Sequence, residues 1–389
     1  MTNQPRILFI CKNRDLPYSD ITNESNIDYS EAYCDKKSSG LLNSVKFVVN
    51  MLTKNGIACK IADVIDNNCI DREVSKYKPT HVIIEALWVV PEKFAILTKL
   101  HPNVHWIIRL HSEIPFLAGE GSAMGWIYDY GLYDNVSIAC NSQRIADDIH
   151  YLTNSKVGYL PNYYDVKSVK HKIVNPIEKN KHILDIGCFG AIRPLKNQFV
   201  QAIAAMEFAT KQKKKLRFHI NASRIEGKGD AHLKNIRNLF QKNLHGHELV
   251  EHEWMAHEAF VGLIGQMDMV LQVSFSETYN IVTADAVSQR VPVVVSDEIT
   301  FVSSLFRADC TDTKDIVRKM TSAYRFGKLG TYLNFISLKK NAEDAEAQWM
   351  SAFPHKKQHH SNHHHHHHHG EHHSNAGSPK GNSVMISLK

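Results

Sequence analysis

No two cysteines stand in a C-x-x-C spacing: the seven, Cys11, Cys34, Cys59, Cys69, Cys140, Cys188 and Cys310, are scattered and odd in number. That argues against a disulfide framework or a zinc ribbon, and the thiols read as reduced core residues. No run approaches the roughly 18 uninterrupted apolar residues of a membrane span. The N-terminus lacks the basic region, long apolar core and cleavage site of an export signal, so a cytoplasmic location is expected. Low complexity is confined to the far end, where composition turns to His, Ser, Asn, Gly and Lys around the histidine run 363–369. That tail, 355–389, is expected to be disordered. Imidazole-rich runs bind zinc, nickel or copper without defined geometry, so the tail, native or a tag, carries no catalytic metal site, and none is expected elsewhere.

What is present suits two globular cores. A chain of 389 residues with 43% hydrophobic and 22% charged residues exceeds the size at which one core stops growing. The formal net charge of +6 suits an anionic partner such as a nucleotide, an acidic lipid or nucleic acid, without choosing among them.

Strand-length apolar runs alternate with helical-period segments, the pattern of parallel sheets covered by helices. The first half offers strands at 7–11, 58–64, 80–87, 104–111, 136–140 and 157–160, rich in β-branched and aromatic residues. A helix is expected over 40–56, with Ser39 as its cap and Gly56 as its terminator. Pro161, Pro176 and a lysine-rich stretch to Lys181 mark a linker. The pattern restarts at 183–188, 216–220, 269–273 and 291–295. The expected division is a Rossmann-like domain over 1–170 and a second over 171–354, whose last helix can cross back.

Two segments carry chemistry. At 187–197 the chain reads Gly-Cys-Phe-Gly-Ala-Ile-Arg-Pro-Leu-Lys-Asn, a strand end and a turn at Gly190, with Arg193 and Lys196 ahead of a helix. Amides at a helix N-terminus attract anions, and an Arg fork with a Lys point charge can neutralise a diphosphate; the plainer reading is a surface turn with two solvated cations. At 274–285 the chain reads Ser-Phe-Ser-Glu-Thr-Tyr-Asn-Ile-Val-Thr-Ala-Asp after a strand. With a helix starting near Asn280, Glu277 lies in the loop and Asp285 about one turn inside, so both can face one ligand at the crevice. The amides of Tyr279, Asn280 and Ile281 then point the same way. A capping or solvent-facing acid pair is the bland alternative. A glycosidase would leave the phosphate-binding signals without a role.

The segment Ser-x-Ser-Glu-x-x-x-Ile-Val-x-x-Asp-Ala-Val, followed by Pro292-Val-Val, resembles the signature of glycosyltransferase family 4. Leu-Pro-Asn-Tyr-Tyr-Asp at 160–165, Cys-Asn-Ser at 140–142 and the loop at 186–197 are similar, in order, to further motifs of that family. Leu-Trp-Val-Val-Pro-Glu at 87–92 is similar to glycosyltransferases encoded by bacteriophages. The resemblance implies the GT-B fold, two Rossmann-like domains facing a cleft. It implies a retaining transferase that needs no cofactor and takes a UDP- or other nucleotide-sugar as donor. By the same resemblance Glu277 holds hydroxyls of the transferred sugar, Asp285 the ribose, Arg193 and Lys196 the diphosphate, and His111 contacts the donor sugar. Ser39 and Gly40 would form a closing turn, and the segment 12–38 would meet the acceptor. The phage likeness points to a hydroxymethylated base in DNA, which must be unstacked to reach a site; a glycan or lipid is the alternative acceptor. Asp285 in place of the usual Glu shortens the reach by one methylene, and Thr278 and Asn280, where Gly is usual, narrow or re-aim the sugar pocket. A sugar-nucleotide epimerase and a non-catalytic sugar-nucleotide-binding protein on the same fold stay open.

Overall fold

The computed structural model describes residues 4–13 and 40–355. Ser39, the 14–38 part of the expected acceptor segment and the tail beyond His355 lie outside the described residues. The chain divides into two compact units: among the described residues the first comprises 4–13, 41–163 and 342–355, and the second 164–341 with Gly40.

The first unit is built on a parallel six-stranded sheet. Its strands are β1 (Arg6–Lys12), β2 (Ala58–Val64), β3 (His81–Glu85), β4 (His105–Leu110), β5 (Val136–Cys140) and β6 (Val157–Tyr159), in the order β2-β1-β3-β4-β5-β6. Successive side chains leave a strand on opposite faces, and both faces of these strands are buried. Leu8, Ile10, Val82, Ile84, Trp106 and Ile108 feed one core. Ile7, Phe9, Ile83, Ile107 and Ala139 feed the other. Burial on both faces is why the strands read as continuous apolar runs rather than alternating ones. The helix Gly40–Lys54 covers the second face with Leu42, Val45, Val48, Met51 and Leu52, one stripe at helical spacing. Gly56 follows it at φ 84°, a left-handed position that ends the helix at little cost.

The second unit repeats the design with β7 (Ile183–Gly187), β8 (Lys215–Asn221), β9 (Glu248–His252), β10 (Met269–Gln272) and β11 (Val293–Val295), ordered β11-β10-β7-β8-β9. The order turns back between β1 and β3 in the first sheet and between β7 and β10 in the second. The crevice at the carboxyl ends of such a strand pair is where open α/β sheets bind ligands. The edge strand β9 was not anticipated: its Glu248, Glu251 and His252 break the apolar run, because an edge strand keeps one side in water. The last helix, Thr313–Ala352, is interrupted at Gly327 (φ 50°, ψ −125°), and its final residues belong to the first unit. There Trp349 is fully buried and donates from Nε1 to the Pro161 carbonyl at 2.7 Å. Among the described residues no helix is long and apolar enough to cross a membrane.

Candidate functional site

In the second unit the loops after β7 and β10 converge at the switch-point crevice, bound to each other at several places. Gly187 has no room for a Cβ, which would stand 2.3 Å from the Phe189 ring. Gly190 sits at φ 119°, open to glycine alone at low cost, and its N–H donates to Asn221 Oδ1 at 3.0 Å. The turn Pro194–Lys196 then feeds the helix Gln198–Lys211 through Asn197, whose Nδ2 donates to the carbonyls of Val273 and Cys310 at 2.9 and 2.8 Å. Gln201 accepts from the Val273 N–H at 2.7 Å, and the Phe275 N–H donates to the Leu195 carbonyl at 2.9 Å. These bonds set the cationic turn against the acidic loop.

Their product is one close contact: Lys196 Nζ lies 2.6 Å from Glu277 Oε1, both side chains largely buried. Asn280 caps the helix Ile281–Ser288 from a left-handed backbone (φ 73°), its Oδ1 accepting from the Thr283 N–H and hydroxyl at 2.8 Å each. Its Nδ2 donates to Gln272, which in turn donates to the Phe189 carbonyl, so the helix start is tied to the glycine loop. Asn280 therefore does what glycine does for the backbone and adds a cap. Tyr279 is buried with its ring 5.1 Å from that of Phe301.

Gly190, Lys196, Glu277 and the start of the helix at Asn280 and Ile281 are thus brought together. Arg193 is in an ion pair with Glu226 at 3.2 Å. Asp285, 1% exposed, accepts through Oδ1 from the Tyr164 hydroxyl at 2.6 Å and His257 Nε2 at 2.8 Å, while Oδ2 is buried with no hydrogen-bond partner among the described residues. Burial and then the Asp285 charge push the Tyr164 phenol well above its ordinary pKa, so it stays a donor. Tyr164 and His257 were not anticipated, since nothing in sequence spacing links them to Asp285.

In the first unit, His111 follows β4 at the carboxyl edge. Cys11 faces Asp63 across β1 and β2, and Glu85 faces Arg109 across β3 and β4, giving a polar row at that edge. Arg109 donates from Nη1 to both oxygens of Glu85 at 3.0 Å, from Nε to the Leu160 carbonyl at 2.9 Å and from Nη2 to Asn162 at 3.2 Å. Burial alone would raise the Glu85 pKa, but Arg109 and His111 outweigh it and lower it. His111 Nε2 pairs with Glu85 Oε2, and its Nδ1 lies 3.4 Å from Asn141 Nδ2. An ionised carboxylate only accepts, so the imidazole proton sits on Nε2. Burial and then Arg109 lower the His111 pKa despite Glu85, which favours the neutral ring. Gly40 opens the helix Gly40–Lys54, while Ser39 is outside the described residues. The sequence signal for this network was available: Glu85 and Arg109 are charges ending or interrupting apolar strands. Among the described residues no group of three His, Cys, Asp or Glu could hold a metal ion.

No protein-family model and no curated protein matches the sequence. Solved structures do match. The N-terminal domain of a Candida albicans trehalose-6-phosphate phosphatase superposes with a TM-score of 0.63 at 10% identity, over 90% of this chain and 97% of that one. A sucrose-phosphate synthase from Thermosynechococcus elongatus gives 0.63 at 11% identity, over 90% and 98%. A structure described as trehalose-6-phosphate from E. coli bound with UDP-2-fluoro glucose gives 0.58 at 11% identity, over 90% and 98%. At such identities the likeness is one of fold, and the fold is the one expected: two Rossmann-like parallel-sheet domains of the GT-B class.

Proposed function

We propose that the chain is a retaining glycosyltransferase that moves a sugar from a nucleotide-sugar to a hydroxyl acceptor. The observation that carries this reading is the Lys196–Glu277 contact at 2.6 Å, set between a glycine turn and a helix N-terminus at a switch-point crevice. The fold likeness to a sucrose-phosphate synthase and to a structure bound with UDP-2-fluoro glucose supports it, as does the resemblance of 274–285 to glycosyltransferase family 4.

In this reading Lys196 and the amides of the helix start receive the diphosphate, and Glu277 accepts hydrogen bonds from hydroxyls of the sugar. The bond between the anomeric carbon and the phosphate oxygen breaks, the acceptor oxygen bonds to the same face, and the departing phosphate takes the acceptor's proton. Fixed positive groups at the developing phosphate charge supply the main stabilisation, with no step that requires a metal. Arg193 contributes positive charge beyond Lys196. Asp285 enters through Oδ2, its other oxygen being committed to Tyr164 and His257. His111 belongs to the first unit, where the resemblance puts its contact with the donor sugar.

The test is incubation with UDP- and GDP-sugars and two acceptors, hydroxymethylated DNA and a glycan, with release of nucleoside diphosphate measured. Release that depends on an acceptor and disappears in Lys196→Ala supports transfer. Epimerised donor without acceptor, or donor bound and never turned over, would replace this reading with an epimerase or a binding protein.

A further inference from the structure

The buried Asp185 and His219 and the half-buried His252 form a chain of hydrogen bonds across β7, β8 and β9. The Asp185 carboxylate, fully buried, accepts from Lys179 Nζ at 2.9 Å, Arg217 Nε at 2.7 Å and Nη2 at 2.9 Å, and His219 Nε2 at 2.8 Å. His219 Nδ1 lies 2.8 Å from His252 Nε2, and the two rings are stacked. None of these groups belongs to the site above, yet the chain ends beside it. His252 closes β9 in register with Asn221 of β8, and Asn221 is the residue that holds the Gly190 N–H. The His252 ring is 6.3 Å from that of Phe189, in the same glycine loop.

The proton positions follow from the partners. Burial works to raise the Asp185 pKa, but the bonds from His219, Arg217 and Lys179 outweigh it and hold the carboxyl well below its ordinary range. An ionised carboxylate is acceptor-only, so His219 carries a proton on Nε2, and in its neutral form it presents a lone pair at Nδ1. That lone pair requires a proton on His252 Nε2. Burial and then His219 lower the His252 pKa from 6.5 to about 4, so the ring holds a single proton near neutral pH. His252 Nδ1 therefore presents a lone pair at the carboxyl edge of the sheet, and the residue is only partly buried there. A histidine whose acceptor face is chosen by two buried residues behind it is more than a solvated edge residue needs.

We infer that His252 Nδ1 accepts a hydrogen bond from the nucleoside half of a nucleoside diphosphate bound at the glycine loop, with His219 and Asp185 as positioning residues that fix its tautomer. The inference rests on the donor reading above and adds a contact to it. The recognised chemistry is a single N–H or O–H donor, supplied by a lactam-type base or by a ribose hydroxyl.

The experiment uses the full chain, with imidazole ¹⁵N shifts and calorimetric titration of UDP, GDP, 2′-deoxy-UDP and pyrophosphate. Expected are an unprotonated His252 Nδ1 that responds to UDP or GDP and not to pyrophosphate, and about fivefold weaker nucleotide binding in His252→Ala with pyrophosphate binding unchanged. His252→Gln, whose amide oxygen can accept, recovers most of the loss. If the His252→Ala loss persists with 2′-deoxy-UDP, the base or the ribose 3′-hydroxyl is the donor; if it vanishes, the ribose 2′-hydroxyl is. A protonated Nδ1, or wild-type UDP and GDP affinity in His252→Ala, overturns the inference and leaves the donor reading standing. A wild-type protein that binds none of the four probes overturns both.

Discussion

Asp63 offers the sharpest quantitative test of the physics of the first unit. It sits in β2, opposite Cys11 in register, 1% exposed, and its Oδ2 has no hydrogen-bond partner among the described residues. Burial pushes its pKa from 3.8 to about 7 against the opposing pull of Lys46. The folded state therefore holds the proton more tightly than the unfolded chain. The stability associated with that proton is fully present below the unfolded pKa and is lost as pH rises through the folded one. A shift of about three units at about 1.4 kcal/mol each makes a loss of about 4 kcal/mol, of which roughly 2.5 kcal/mol falls between pH 5 and pH 8.

Asp63→Asn removes the titration while keeping the shape. The cost of burying an amide there is the same at both pH values, so it cancels when the wild-type and variant difference is compared between them. Urea unfolding at pH 5 and pH 8, with native-state hydrogen exchange of β1 and β2 amides to localise the effect, should show the variant gaining about 2.5 kcal/mol on the wild type on going to pH 8. Curves that stay parallel to within about 0.5 kcal/mol would refute the reasoning, because they would mean that Asp63 is ionised in the folded state at no cost.

Lys196→Ala and Arg193→Ala are expected to lower turnover while leaving far-UV circular dichroism unchanged, about 10²- to 10³-fold for Lys196 if it stabilises the leaving phosphate. Wild-type turnover in both would sink the proposed role of this turn. Arg109→Met leaves Glu85 buried with His111 as its main partner and should cost about 3–5 kcal/mol in urea unfolding. In the wild type the lowered Glu85 pKa makes its contribution present above the unfolded value and lost as pH falls, so the gap between the two proteins should narrow in acid. Tyr164→Phe removes a hydrogen bond to a buried carboxylate, worth about 1.5–3 kcal/mol, and should destabilise the second unit; an unchanged hydrogen-exchange profile around 281–288 would contradict the bond.

The alternation of apolar runs with helical segments was enough to expose both sheets, because strands buried on both faces cannot hide their composition: Val293 to Val295 and the run from Ile7 to Ile10 have no other reading. What failed was the strand with water on one side. The loops at 187–197 and 274–280 were legible because glycine, proline, lysine and glutamate there are local signals, and the structure brings Lys196 to Glu277 across 81 residues of sequence. The partners of Asp285 were not legible. Its bond to Tyr164 spans 121 residues and depends on how the chain enters the second unit, which no period in the sequence encodes. The Asp185–His219–His252 chain was hidden for a related reason. Asp185 and His219 read as ordinary polar interruptions of their own strands, His252 lies in the strand that was not anticipated, and only the parallel register aligns the three.

The Lys196–Glu277 contact also bears on which ligand suits the site. Two opposite charges, 15% and 8% exposed, neutralise each other at 2.6 Å, so neither can be taken by a ligand without leaving the other short of a partner in a poorly solvated place. Free diphosphate would satisfy Lys196 and strand Glu277. A simple sugar would occupy Glu277 and do nothing for Lys196. A nucleotide-sugar carries a phosphate and hydroxyl groups on either side of one anomeric bond, and satisfies both charges at once across the bond that must break. On the donor reading proposed above, the pair would discriminate for the intact donor. After cleavage the sugar's hydroxyls and the phosphate would no longer share one molecule, and re-forming the ion pair would favour release of what remains.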